Sequence, residues 1–379
     1  MKEIRIGLIG FGTIGKLHTL AYRNLPISTK NPMVTPRLIA LLRSQLAKDA
    51  DLADASDFQV VTLSPDEFYA QQLDAVDICT PNHLHFSQVQ RALAEGVAVY
   101  CEKPLALNYP DALILANLAE TTHAVTQVAY TMRYSPAIRQ AKRLLDEGQI
   151  GDVLQFRAFK YHASYLDPKR PITWRLKFDQ SGGGAFQDLG SHLANLVRYF
   201  FGTPVRLRAE MRTFINKRPA NAGSATLETV DVDDWMHCLL ELPGGGVGSL
   251  EVSRLAAGSG ELTGFEIQGR KGAISFSSDR PEALSYYDLN PKHWQISDQI
   301  PETSAGERPI GMIWPEKKFS QGDMLNRHTA EIHDFLLNVV DGKSGPVDFR
   351  DAAQTQEIVE AAYRSAHQGG EWLNLPLSP

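Results

Sequence analysis

The feature that most constrains this chain is a glycine run set between two different periodicities. The apolar stretch Ile4 to Ile9 runs directly into Gly10-Phe11-Gly12-Thr13-Ile14-Gly15, and a helical pattern follows over Lys16 to Asn24. A strand that ends in G-x-G-x-x-G and restarts as a helix has few uses. The first glycine permits a tight turn, the second lets an anionic group approach the backbone, and the third lets helix and strand pack closely. The helix N-terminus then offers free N–H groups to a pyrophosphate. The six residues from Gly10 to Gly15 are therefore expected to hold a dinucleotide. A glycine turn that serves packing alone is the competing reading.

Further short apolar runs follow at Leu38 to Leu42, Val60 to Leu63, Ala75 to Cys79, Ala98 to Cys101 and Ala124 to Ala129. Helical patterns such as Phe86 to Glu95 and Pro110 to Thr121 separate them. Strands apolar on both faces and divided by helices predict an α/β domain, a doubly wound parallel sheet of the Rossmann type, over residues 1–131. From Val153 the period changes. Val205, Leu207, Ala209 and Met211 alternate with charged residues, the mark of a sheet with one wet face. Met236 to Leu242, Pro243-Gly244-Gly245-Gly246 and Val247 to Val252 read as a hairpin, and a second turn falls at Gly269 to Gly272. Residues 132–379 are thus expected to form an α+β domain on a largely antiparallel sheet, which fits a 379-residue chain measured against roughly 150 residues per domain. Pro291 to Asp323 reads as a long surface excursion. A final helix over 351–367 is a candidate to return to the first domain.

Charge and composition exclude several classes. With 38 Lys and Arg against 44 Asp and Glu, the net charge is -6, which argues against general attraction to nucleic acid. No run approaches the roughly 18 apolar residues of a membrane span. Gly7 and Gly10 come too early for a secretory segment, so a cytoplasmic protein is expected. Cys79, Cys101 and Cys238 are scattered through apolar runs, as reduced core thiols would be.

The second strand usually ends in an acidic residue that accepts from a ribose hydroxyl. Here it ends in Arg43-Ser44, which would bind a 2'-phosphate rather than repel it, and this inclines the cofactor towards NADP over NAD. Arg43 stacking on adenine, or facing water, is the alternative. The interval from Gly15 to Arg43 exceeds the usual ~20 residues, and Pro26 to Pro36 reads as an inserted loop that accounts for the excess.

Two further loops leave the carboxyl ends of strands, where open α/β sheets bind ligands. They are Thr80-Pro81-Asn82-His83-Leu84-His85 and Glu102-Lys103-Pro104. Farther on, Gly182-Gly183-Gly184 leads to Asp188 and His192, with Leu189, Leu193, Leu196, Val197 and Phe200 at helical spacing. On one α-helix Asp188 and His192 would project about 40° apart, a carboxylate beside an imidazole and so a pair suited to proton transfer.

Together these segments resemble the Gfo/Idh/MocA family of glucose-fructose oxidoreductase and inositol dehydrogenase, over almost the whole chain. The resemblance implies that Lys103, Asp188 and His192 are catalytic and surround the substrate carbinol near the nicotinamide, with both domains contributing. His192 would take the hydroxyl proton as hydride leaves, Asp188 would orient it, and Lys103 would stabilise alkoxide charge. Thr80, Pro81, Asn82, His85, Glu102 and Lys103 would line the cofactor, His85 otherwise bracing its loop. Arg133, at the crossover Tyr130 to Pro136, and Trp174-Arg175 resemble the family's junction and substrate-loop motifs. These, with Tyr161, are candidates to bind substrate; the alternatives are that Trp174 packs under its loop and that Arg175 pairs on the surface. His83 and His85 lack a third ligand at recognisable spacing, so no metal is expected.

The expected activity is NAD(P)-dependent hydride transfer at a secondary alcohol of a sugar, cyclitol or related polyol, in a homodimer or homotetramer joined through the second sheet. Rival readings are an NAD-dependent glycosidase working by transient oxidation, a nucleotide-sensing protein without turnover, and a methyltransferase. The last gives no reason for Glu102-Lys103-Pro104.

Overall fold

The computed structural model describes residues 2–30, 32–44, 58–290, 292–298 and 307–377. It divides into two compact units: Met1–Ala106, Pro110–Tyr134 and Glu302–Ala353 form one, and Leu107–Tyr109, Ser135–Pro301 and Gln354–Pro379 the other.

The first unit is built on β1 (Lys2–Ile9), β2 (Val34–Leu42), β3 (Val60–Thr62), β4 (Ala75–Ile78), β5 (Ala98–Cys101) and β6 (Thr126–Val128), all parallel in the order β3-β2-β1-β4-β5-β6. That order is the doubly wound one, with its reversal point between β1 and β4. Helices α1 (Thr13–Ser28), α2 (His85–Ala94) and α3 (Tyr109–Thr122) alternate with the strands. β4 and β5 are buried along their whole length, as strands covered on both faces must be.

The inserted loop expected between Pro26 and Pro36 is absent among the described residues. Pro26 lies in the last turn of α1, and Pro36 lies within β2 opposite Ile4. β3 pairs only with Ala40 to Leu42, so Pro36 needs no ladder partner on that side. A longer helix and a longer strand take up the extra residues.

The second unit carries α4 (Pro136–Asp146), β7 (Val153–His162), α5 (Ser191–Phe201), β8 (Arg206–Arg212), β9 (Lys217–Pro219), β10 (Leu227–Thr229), β11 (Trp235–Glu241), β12 (Val247–Ser253), β13 (Glu261–Gly269), β14 (Gly272–Ser277), β15 (Leu284–Asp288) and β16 (His293–Ser297). With a late strand β17 (Leu373–Asn374) they give a nine-stranded sheet, order β16-β15-β14-β13-β7-β12-β11-β8-β17, and a separate β9–β10 pair. Among the described residues, only β7 and β12 run parallel in the large sheet. Both hairpins form as the turn residues demand; at the first, Gly244 and Gly245 take φ of 88° and 87°, open to glycine without strain. Met236, Cys238 and Leu240 alternate into the core, and Phe156, Phe265 and Phe200 of α5 interlock behind them.

The chain then supplies α6 (Asp323–Asp341) and α7 (Phe349–His367). α6 packs on α1, and its Ile332, Phe335 and Leu336 join Ile4, Ile6 and Val76 in one core. Ile310 and Ile313, inside the expected surface excursion, are buried in that core as well, while 291 and 299–306 lie outside the described residues. The division at residue 131 therefore differs from the contacts, which group Glu302–Ala353 with the first unit. Ile332, Phe335 and Leu336 recur at helical spacing, which marks the apolar face of α6 but not the surface it covers. α7 begins among the residues of the first unit and continues among those of the second.

Candidate active site

In the first unit the glycine loop sits at the sheet's reversal point. Gly10 takes φ of 91° and donates its N–H to Leu42 O at 2.9 Å, while a Cβ on Gly15 would land on Gly10 O. A Cβ on Gly12 would meet nothing within 4 Å, and no side chain caps the α1 N-terminus there. An open backbone surface at an uncapped helix start suits a pyrophosphate. Phe11 is buried, with the Arg43 guanidinium 5.6 Å from its ring centre, which brings the end of β2 beside the loop. Ser44 is exposed next to it.

The other two loops are tied together by His85. Its ring is fully buried, with Nδ1 2.8 Å from Pro104 O and Nε2 2.9 Å from Thr80 O. Burial lowers its pKa, and the two carbonyls oppose that shift. His85 thus braces the Thr80 loop against the Lys103-Pro104 turn. Thr80 Oγ1 bonds Gln88 Oε1 at 2.6 Å, and Asn82 is buried in a short helical turn after Pro81. Lys103 is half-buried, and its backbone N–H donates to Glu102 Oε2 at 3.1 Å.

Arg133 does not stand ready for a substrate. Its guanidinium is buried, donates to both oxygens of Asp351 at 2.8 and 3.1 Å, and reaches Pro346 O. A bidentate carboxylate pair of this kind fixes the chain crossover instead.

In the second unit, Asp188 and His192 do not share one continuous α-helix. Phe186 to Gly190 form a single π turn, closed by Ser191 N–H to Phe186 O, and α5 starts only at Ser191. The wider turn changes the angle between the two side chains from the i, i+4 expectation, and such turns are frequent at functional sites. A clamp holds the turn's entrance. Asp233 accepts from Gly184 N–H at 2.8 Å and Phe186 N–H at 2.9 Å. Tyr363 Oη accepts from Gly184 and Gln187 N–H at 2.9 and 3.0 Å and donates to Asp233 at 2.7 Å.

Tyr161 also departs from expectation. Phe156, Ala158, Lys160 and His162 alternate onto the face of β7 that meets α5, so Tyr161 lies on the opposite face. There its hydroxyl donates to Glu251 at 2.8 Å, and Trp235 Nε1 donates to the other Glu251 oxygen. His162 of β7 lies within the electrostatic reach of Asp188: burial pulls its pKa below the ordinary value and Asp188 opposes this. Trp174 and Arg175 are half-buried, with the guanidinium 4.3 Å from the indole.

Asp233, Tyr363 and His162 were not singled out from sequence. The Asp231-Val232-Asp233-Asp234 cluster just before an apolar strand was the available clue, since a carboxylate so placed needs donors.

Residues 4–130 match the model of the oxidoreductase family with an NAD-binding Rossmann fold, and residues 138–275 match that of the GFO/IDH/MocA C-terminal domain. The chain belongs to the Gfo/Idh/MocA family. Levoglucosan dehydrogenase of Pseudarthrobacter phenanthrenivorans is 30% identical to it over 395 aligned positions, covering 99% of each chain. Inositol 2-dehydrogenase of Rhizobium meliloti is 26% identical, covering 96% of each. A solved structure of levoglucosan dehydrogenase with NADH and levoglucosan superposes with a TM-score of 0.89 at 29% identity, over 99% of this chain and 100% of that one. As a member of the Gfo/Idh/MocA family the protein is an NAD(P)-dependent oxidoreductase acting on CH–OH groups. That sets aside the methyltransferase and sensor readings. No helix among the described residues is long and apolar enough to cross a membrane.

Proposed function

We propose that the enzyme oxidises a ring CH–OH of a sugar or cyclitol to the ketone or lactone, and that Lys103, Asp188 and His192 carry the reaction. The observation that carries this reading is the likeness, over both units, to dehydrogenases named for levoglucosan and inositol. The nicotinamide, when bound, accepts the hydride. The N–H groups at the start of α1 and the Gly12 surface would hold its pyrophosphate. His192 takes the hydroxyl proton, Asp188 orients the ring, and the Lys103 ammonium donates to the reacting oxygen and stabilises its developing charge. Trp174 supplies an apolar surface to the sugar.

A panel of sugars, anhydrosugars and inositols, followed by absorbance at the reduced nicotinamide band, tests the reading. Substrate-dependent reduction is expected. Release of free sugar from a glycoside without net reduction would instead favour transient oxidation with hydrolysis.

Arg43 and Ser44, with no carboxylate at the end of β2, support NADP as the preferred cofactor. Arg43→Ala is expected to weaken NADP by roughly tenfold or more, the worth of a hydrogen bond to a charged group, and NAD much less. Equal losses in a fluorescence titration would mean that no 2'-phosphate is read there.

The enzyme works in the cytoplasm, where its three free cysteines stay reduced. It self-associates through the second sheet, whose edge strand β16 exposes Trp294 and Ile296. A monomer in sedimentation velocity would rule this association out.

A further inference from the structure

The first unit contains a buried charge cluster that the proposed reaction leaves unused. Asp77 sits within the wholly buried strand β4, and His18 of α1 is equally enclosed. His18 Nδ1 lies 2.9 and 3.1 Å from the two Asp77 oxygens. On the other side of the ring, Nε2 lies 3.2 Å from Glu102 Oε1, within ion-pair range but not aligned as a hydrogen bond. An imidazole with a carboxylate at each nitrogen answers both only when each nitrogen carries a proton. A neutral ring would turn a lone pair towards one of two buried anions, which the low local dielectric makes costly.

The surrounding groups agree. Burial alone would lower the His18 pKa, but Asp77 leads the opposing effects and holds it well above its ordinary value. Glu102 would be raised by burial, yet His18 draws it below the usual carboxylate range. Cys79 Sγ stands 3.1 Å from Nδ1, and the His328 and Tyr100 rings lie 5.0 and 5.5 Å away, centre to centre. Burial and the His18 charge push His328 down to about 3, so it is neutral. Burial raises Glu331 of α6 well above the carboxylate range. The positive charge of the cluster therefore rests on His18.

The second oxygen of Glu102 accepts the backbone N–H of Lys103 at 3.1 Å. We propose that His18 is a positioning residue, a buried imidazolium that joins Asp77, Glu102 and the Lys103 backbone and so sets where the Lys103 amine leaves β5. The proposal rests on the role given to Lys103 above. It adds a device at the third residue after the glycine run, on the helix that starts at the pyrophosphate surface.

Two measurements test it. In protein labelled with ¹⁵N-histidine, both His18 ring nitrogens are expected to keep protonated shifts at pH values well above the ordinary imidazole range. A ring with one bare nitrogen overturns the proposal, and so does a tightly bound metal ion occupying the place of the second proton. In kinetics, His18→Gln should lower kcat on the order of 10- to 100-fold, the scale of an ångström-sized misplacement, with little change in dinucleotide Kd. Glu102→Gln should do the same. The double substitution should be no worse than either alone, because both break one linkage. Additive losses would show that the two residues act separately and overturn the linkage, and a loss of kcat accompanied by weaker dinucleotide binding and a lower melting temperature would mean a role in stability only. Lys103→Ala, measured beside them, separates the two ideas: full turnover in that variant removes the premise about Lys103, whereas an inactive Lys103→Ala with normal His18→Gln defeats the His18 proposal alone.

Discussion

Lys103→Ala is expected to cut turnover by roughly 10²- to 10⁴-fold, the range for a group that assists proton transfer or stabilises developing charge, while dinucleotide affinity changes little. The structure gives the second half of that expectation its basis. The pyrophosphate surface at Gly12 belongs to the β1–α1 turn, whereas Lys103 leaves the end of β5, two strands away in the sheet order. The turn bearing Lys103 is held independently of its amine, by His85 on Pro104 O and by Glu102 on the Lys103 N–H. Truncating the side chain should therefore leave the fold and the nucleotide site intact. Stopped-flow turnover and a fluorescence titration of the same preparation would check both. Wild-type kcat in the alanine variant would remove Lys103 from the chemistry.

Gly184→Ala should be nearly as damaging, through structure rather than charge. A Cβ at this position would land on the backbone carbonyl of Asp233 and within 2.5 Å of the Asp233 backbone N. Neither atom can rotate away as a side chain could. Overpacking of this kind costs about 1–3 kcal/mol, and more where the obstacle is backbone. Each kcal/mol lowers the melting temperature by roughly 2–4 °C in a protein of 150–250 residues, and by less in a longer chain. Any relief would move Gly184 away from Asp233 and Tyr363, and the N–H groups of Gly184, Phe186 and Gln187 would lose their acceptors. Because those residues open the π turn carrying Asp188, turnover should fall further than stability alone explains. A variant with an unchanged melting temperature and unchanged kcat would show that the clamp is not needed.

What the sequence could and could not disclose follows from the range of the forces involved. The glycine loop, the parallel strands and the two hairpins were readable because each depends on local backbone needs: a positive φ at Gly10, an apolar run buried on both faces at β4, a glycine turn between β11 and β12. Side-chain destinations were harder. Tyr161 had the right chemistry for a sugar contact, but pleat parity turns it to the face shared with Glu251 and Trp235. Arg133 is drawn to Asp351, more than two hundred residues away. The π turn at Phe186 to Gly190 inserts a residue that no hydrophobic period marks. His18 and Asp77 left a fainter trace, a histidine and an aspartate placed where the pattern calls for apolar residues, each hinting at a partner that only the tertiary structure names.

The late contribution of α6 to the first core has a consequence for biosynthesis. At roughly 5–20 residues per second, about ten to forty seconds separate the emergence of β6 from that of α6. During that interval the nascent sheet lacks Ile332, Phe335 and Leu336, and the flank of α1 that they cover is left open to water. The N-terminal half of this enzyme waits on the ribosome for its own far end, and holdase chaperones have that long to find it.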